Sequence, residues 1–188
     1  MANVDSPFGL LPTRHLAGGV IRANWYKSAV ADGSTTTIFY GDPVTWSSGR
    51  IARAAAGNTI LGVFAGCQYD DSASGAPATS FKNYYDGKTT SSNVDFLVYD
   101  DPMLVFKVQC TTGQTPAVTD RGGYADMITY AAGNTTTGRS IIELGAISGT
   151  IATFRVVDIV HEASNAWGEH VDVEVIVKEH IYNNSTAS

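Results

Sequence analysis

Residues 171–178 read VDVEVIVK, and this stretch constrains the fold more than any other. Val171, Val173, Val175 and Val177 fall on one face of an extended chain, while Asp172, Glu174 and Lys178 fall on the other. Side chains alternate across a strand with a period of two, so this is the pattern of a strand with one face buried and one face wet. Such a strand cannot bury its valine face alone. It needs neighbours in a sheet and a second layer over them.

The rest of the chain repeats the message. Val20–Val30 and Thr35–Tyr40 are rich in β-branched and aromatic residues. Val44–Trp46 and Ile51–Ala56 flank the turn Ser47–Ser48–Gly49 and predict a hairpin. Ile60–Tyr69 (ILGVFAGCQY) is nearly all apolar, as a strand buried on both faces would be, and Gly62 and Gly66 within it suggest a bulge or close backbone approach. Val94–Tyr99 and Met103–Cys110 flank Asp101–Pro102, a turn opener. Ser140–Ala146, Thr150–Val160 and Val171–Tyr182 supply three more strands, and 72–80 and 111–123 read as loops. Helical patterning is thin, with Tyr124–Ala132 its best window. The expected fold is all-β, an antiparallel sandwich or barrel.

The first nineteen residues differ. In SPFGLLPTRHLAGG (6–19), Pro7 and Pro12 resist both helix interior and central strand, and Gly18–Gly19 resembles a hinge. The expected organisation is an extended arm (1–19), one β domain (20–182) and a loose tail (183–188). Pro7, Phe8, Leu10, Leu11, Pro12 and Arg14 are the candidate partner-binding residues, with Arg14 expected to pair with a partner's carboxylate.

Only 16% of the residues are charged, against about 25% in an ordinary soluble domain. Part of the surface is therefore expected to be covered by partners. A net charge of −6 with scattered basic residues argues against nucleic acid. No signal-peptide pattern and no membrane-length apolar run occurs, so assembly in a cytoplasm is expected. Cys67 and Cys110 lack metal or redox spacing and are expected to be reduced.

Catalytic patterns are missing. There is no G-x-S-x-G, no H-E-x-x-H and no calcium loop. Asp70–Asp71 and Asp100–Asp101 read as turn formers, and His161–Glu162, Glu169–His170 and Glu179–His180 as solvated neighbours. No enzyme, cofactor or metal is expected. Trp25, Trp46, Trp167 and Tyr84–Tyr85 fit core or interface burial more simply than sugar stacking. AAGNTILG (55–62) recurs as AAGNTTTG (131–138), either as two similar turns or as a duplicated unit.

Five stretches, in order, carry a resemblance: SPFGLLPTRHLAGGVIR, FYGDPV, AAAGNTILGVFAGCQY, YDDPMLVFKVQ and NAWGEHVDVEVIVKEH. Together the chain resembles the small head-decoration, or cement, proteins of bacteriophage virions. The resemblance implies a homotrimer that binds the outer capsid surface, bridges neighbouring major capsid subunits and does no chemistry. A tail or head-completion component and a carbohydrate-binding module are the alternatives.

Overall fold

Val171, Val173, Val175 and Val177 are all buried, and the strand Asp172–Val177 that carries the last three lies in the middle of a sheet. The computed structural model describes residues 3–73, 78–128 and 133–183. Among these the strands are, in order, β1 (Leu11–His15), β2 (Asn24–Tyr26), β3 (Pro43–Ser47), β4 (Arg50–Arg53), β5 (Gly62–Asp71), β6 (Ala78–Lys82), β7 (Ser91–Tyr99), β8 (Leu104–Gln109), β9 (Tyr124–Ala125), β10 (Met127–Ile128), β11 (Glu143–Leu144), β12 (Phe154–Ile159) and β13 (Asp172–Val177). The only helical element among them is a single 3-10 turn, Val118–Asp120.

The protein is all-β and sandwich-like. One sheet runs β1-β8-β13-β12-β9, and a second runs β2-β7-β5-β3-β4 with β6 also on β5. β10 and β11 form a small ribbon. All strand pairs are antiparallel. One core contains Leu104, Phe106 and Val108 of β8, Phe154 and Val156 of β12 and the β13 valines, with Val63 and Ile60 from the second sheet's side. A separate core contains Phe64, Cys67 and Tyr69 of β5 and Val94, Phe96 and Val98 of β7, together with Ile38 and Tyr85. β5 thus feeds both cores, which is why its sequence is almost continuously apolar.

The glycines of β5 act as expected. A β-carbon on Gly62 would strike the Tyr99 carbonyl oxygen, and the β5–β7 register slips between Phe64 and Gly66. The hairpin of β3 and β4 also forms, with Ser48 at φ +50° and Gly49 at φ +75° supplying the left-handed turn.

Several expectations are corrected. Val20–Val30 yields only the three residues of β2, and Thr35–Tyr40 only isolated bridges at Ile38 and Tyr40. The part of the helical window within the described residues is β9 and β10; the remainder, 129–132, lies outside them. β6 begins within the segment 72–80 read as a loop and runs two residues past it; residues 74–77 lie outside the described set. The tail beyond 183 also lies outside it. The two AAGN segments form different turns where described. The Asn58 side chain accepts from the Ala55 N–H behind it, whereas Asn134 accepts from Thr136 and Thr137 ahead. That favours two turns over a duplicated unit.

Residues 179–181 are sewn to the second sheet's side by Ile60 N–H to Glu179 O (2.8 Å) and Ile181 N–H to Ile60 O (2.9 Å), which buries His180. Its Nδ1 accepts from the Tyr182 N–H, so the neutral ring carries its proton on Nε2. Burial lowers the His180 pKa, opposed by the charges of Asp100 and Asp101. The unfolded chain then binds more protons than the folded one as pH falls below about 6.5, so this group's stability contribution is full above that value and lost below it. The melting temperature is expected to fall between pH 7.5 and 5.5 less steeply in His180→Gln than in wild type. Calorimetry at matched ionic strength checks this, and parallel pH profiles would refute it.

Candidate partner-binding surface

The N-terminal segment is not a free arm. Leu10 is 1% exposed and belongs to the first core. Its N–H donates to the Gly41 carbonyl at 3.0 Å. Leu11 through His15 form β1, which pairs with β8 from Leu11↔Lys107 to His15↔Leu104. A register shift between Pro12 and Arg14 lets a proline sit in this edge strand, where no ladder donor is needed from it. Arg14 pairs with Glu174 of its own chain at 2.7 Å, not with a partner. Phe8 is half-buried, with the Lys107 ammonium 5.4 Å from its ring centre. Pro7, Leu11 and Pro12 are likewise only partly exposed. Of the six candidate residues, Leu10 is thus removed as a partner anchor and Arg14 is already engaged.

The glycines after β1 make a tight turn rather than a hinge. Gly18 N–H donates to His15 O at 3.0 Å with Gly18 at φ +77°. The His15 ring accepts from Ala17 N–H at Nδ1, which leaves Nε2–H to donate to the Asp101 carboxylate at 3.1 Å. Leu16 N–H donates to Met103 O at 2.8 Å. The turn is therefore braced on both sides.

Beyond it the chain presents apolar side chains to solvent. Val20 is 75% exposed and Trp25 49%, and Leu16, Ile21 and Met103 are also exposed. Residues 16–22 are exposed throughout and carry no regular structure. The exposed apolar side chains of this region are therefore not Phe8, Leu10 and Leu11 but Leu16, Val20 and Ile21, further along the chain. Sequence reading missed these because Val20 and Ile21 open a β-branched run. The signal available was the lack of alternation in Val20–Ile21–Arg22. Outside this segment, Phe81 on β6 and Val118 in the 111–123 loop are exposed.

The remaining candidates disperse. Tyr85 is fully buried, Tyr84 stacks on Phe39 at 5.5 Å, Trp46 packs edge-on to Tyr26, and Trp167 lies against the Arg121 guanidinium. Asp101 closes its turn by accepting from Met103 N–H, while Asp100 accepts from Asn24 and Tyr26. Asp71 is held below the usual carboxylate range by hydrogen bonds from Lys88 and Thr90, and Asp70 by Asn93 and Thr79. Cys67 and Cys110 are free and buried in different cores, and burial pushes both thiols up to about 12. Among the described residues one group of metal-type donors does come together: Asp5, Glu143 and His170 place ligand atoms within 4.8 Å of one another. Beside it runs an open cavity of about 320 Å³ lined by Asn3, Phe8, Gln109, Asn165, His170 and Asp172, among others.

No family model, no curated protein and no solved structure matches the chain.

Proposed function

We propose that this chain is a structural component of a bacteriophage head, a cement protein that docks as a homotrimer on the outer capsid surface and bridges neighbouring major capsid subunits. The observation that carries the reading is the exposed apolar segment 16–22, which leaves a braced turn, on a chain with only 16% charged residues. Leu16, at the braced turn, loses little entropy when a partner covers it, so its burial turns into affinity. The ordered resemblance of the five sequence stretches supplies the capsid as the partner. A closed trimer would match a local three-fold axis of a shell.

Burying Leu16, Val20 and Ile21 in a capsid groove contributes roughly 1.5–3 kcal/mol each before ordering costs. Leu16→Asp with Val20→Asp is therefore expected to weaken particle binding by about 100-fold or more, since each factor of ten is about 1.4 kcal/mol. Both side chains are exposed, so the melting temperature should stay unchanged. Co-sedimentation of the variant with shells assembled without this protein, followed by reconstruction of decorated shells, gives the test. Undiminished binding would remove this segment from the contact. Copies confined to a tail or portal vertex would make the protein a tail or head-completion component, and monomers away from three-fold positions would end the trimer reading.

A further inference from the structure

Asp5, Glu143 and His170 lie far apart in sequence and no spacing motif links them, which is why sequence reading expected no metal. The fold gathers them by three separate devices. Glu143 sits in β11, buried, and its Oε2 accepts from the Thr111 hydroxyl at 3.1 Å. His170 immediately precedes the β13 region at φ +55°, a conformation uncommon for a residue with a β-carbon. Its side chain is 14% exposed, and its Nδ1 is buried without a hydrogen-bond partner among the described residues. Asp5 is exposed, but the backbone on both sides of it is pinned. The Gln109 side-chain amide donates to Val4 O at 3.0 Å and accepts from Ser6 N–H at 2.8 Å. The Asn3 side chain donates to Ala166 O and Glu169 O, and accepts from Ala166 N–H. These contacts deliver the Asp5 carboxylate to 3.9 Å from His170 Nδ1.

We propose that Asp5, Glu143 and His170 bind one divalent transition-metal ion, zinc by the chemistry of the set. A buried imidazole nitrogen without a partner is an unsatisfied group that costs stability, and a metal ion satisfies it. One imidazole nitrogen and two carboxylate oxygens suit zinc, whereas all-oxygen sets suit calcium or magnesium. With metal–ligand distances of about 2.0–2.2 Å, two donors on one tetrahedral ion lie roughly 3.4 Å apart. Closing from 3.9 Å between Asp5 and His170, and from at most 4.8 Å across the set, needs a swing of the exposed Asp5 side chain and a small adjustment of the other two. The ion would staple the N-terminal segment to the strand ends beneath it. The site is independent of the capsid reading.

The test uses the full chain, stripped with EDTA and titrated with zinc chloride by calorimetry, with melting followed in parallel. One zinc per chain is expected, with a rise in melting temperature and slower amide exchange at residues 3–6. Asp5→Asn should weaken zinc binding about tenfold or more, a loss of the size seen even for groups that only support a ligand. Because Asp5 is exposed, this variant stays folded even where His170→Gln does not. His170→Gln, where folded, should abolish binding. Any one of three results would overturn the proposal: no zinc bound at tenfold molar excess, affinity unchanged in Asp5→Asn, or calcium bound as tightly as zinc.

Discussion

Deletion of residues 1–15 is expected to leave a chain that does not fold cooperatively, and Leu10→Ala alone should cost about 2–5 kcal/mol. The reason is where the segment goes. Leu10 is a core residue, packed in the same cluster as Phe106, Val175 and Leu144. β1 covers the outer edge of β8, and without it the β8 ladder and its apolar face open to water on that side. Deletion also strips Arg14 from Glu174 and His15 from Asp101. Both pairs are partly exposed and contribute modestly, so burial rather than charge dominates the loss. For a chain of this size the Leu10→Ala cost corresponds to a fall of roughly 5–20 °C in melting temperature. Guanidinium unfolding of wild type, Leu10→Ala and the truncation decides the matter. A truncated chain that melts like the full one would return the segment to the status of a detachable arm.

That segment also shows where sequence reading stops. Pro7 and Pro12 do exclude a helix and a central strand, and neither occurs there. They do not exclude an edge strand, because an edge residue facing outward donates to no ladder. Whether Leu10 faces a core or a partner depends on Gly41 and β8, which local pattern cannot place. Elements with a strong pattern of their own were legible: the alternating β13 valines, the turn of the β3–β4 hairpin and the nearly continuous apolar run of the doubly buried β5. Elements decided by a neighbour were not. β6 exists because β5 offers a free edge beyond β3, and its own sequence is short and mostly polar. β9 and β10 are two residues each and follow the strands beside them. The same limit hid the Asp5, Glu143 and His170 grouping, since only the closed sandwich sets those positions side by side. Arg14 is expected from the sequence to pair with a partner's carboxylate, whereas its ion pair is with Glu174, two strands away in the same sheet.

Phe96→Ala should be the most damaging single truncation in the second core, at about 3–5 kcal/mol. Phe96 is fully buried and central to an aromatic cluster. Its ring meets Phe64 edge-on at 4.9 Å and Tyr85 at 5.6 Å, and Tyr85 in turn meets Tyr69 at 5.6 Å. These neighbours lie on β5 and at the bridge Ile38↔Tyr85, so they cannot all collapse into the space left by one ring. Phe96→Leu keeps much of the volume and should cost less than half as much. The double variant with Phe64→Ala should fall short of the sum of the singles by about 0.5–1.5 kcal/mol, because one edge-to-face contact is counted in both. The two cysteines then report where the damage sits. Cys67 pairs across the ladder with Phe96 and shares its core, whereas Cys110 lies in the other. Both thiols are held protonated by burial, so labelling by a thiol reagent requires opening. In Phe96→Ala, Cys67 should label faster than Cys110, because the second core opens locally before the whole domain unfolds. Equal labelling rates at the two cysteines would mean that both cores open only together, as a single cooperative unit.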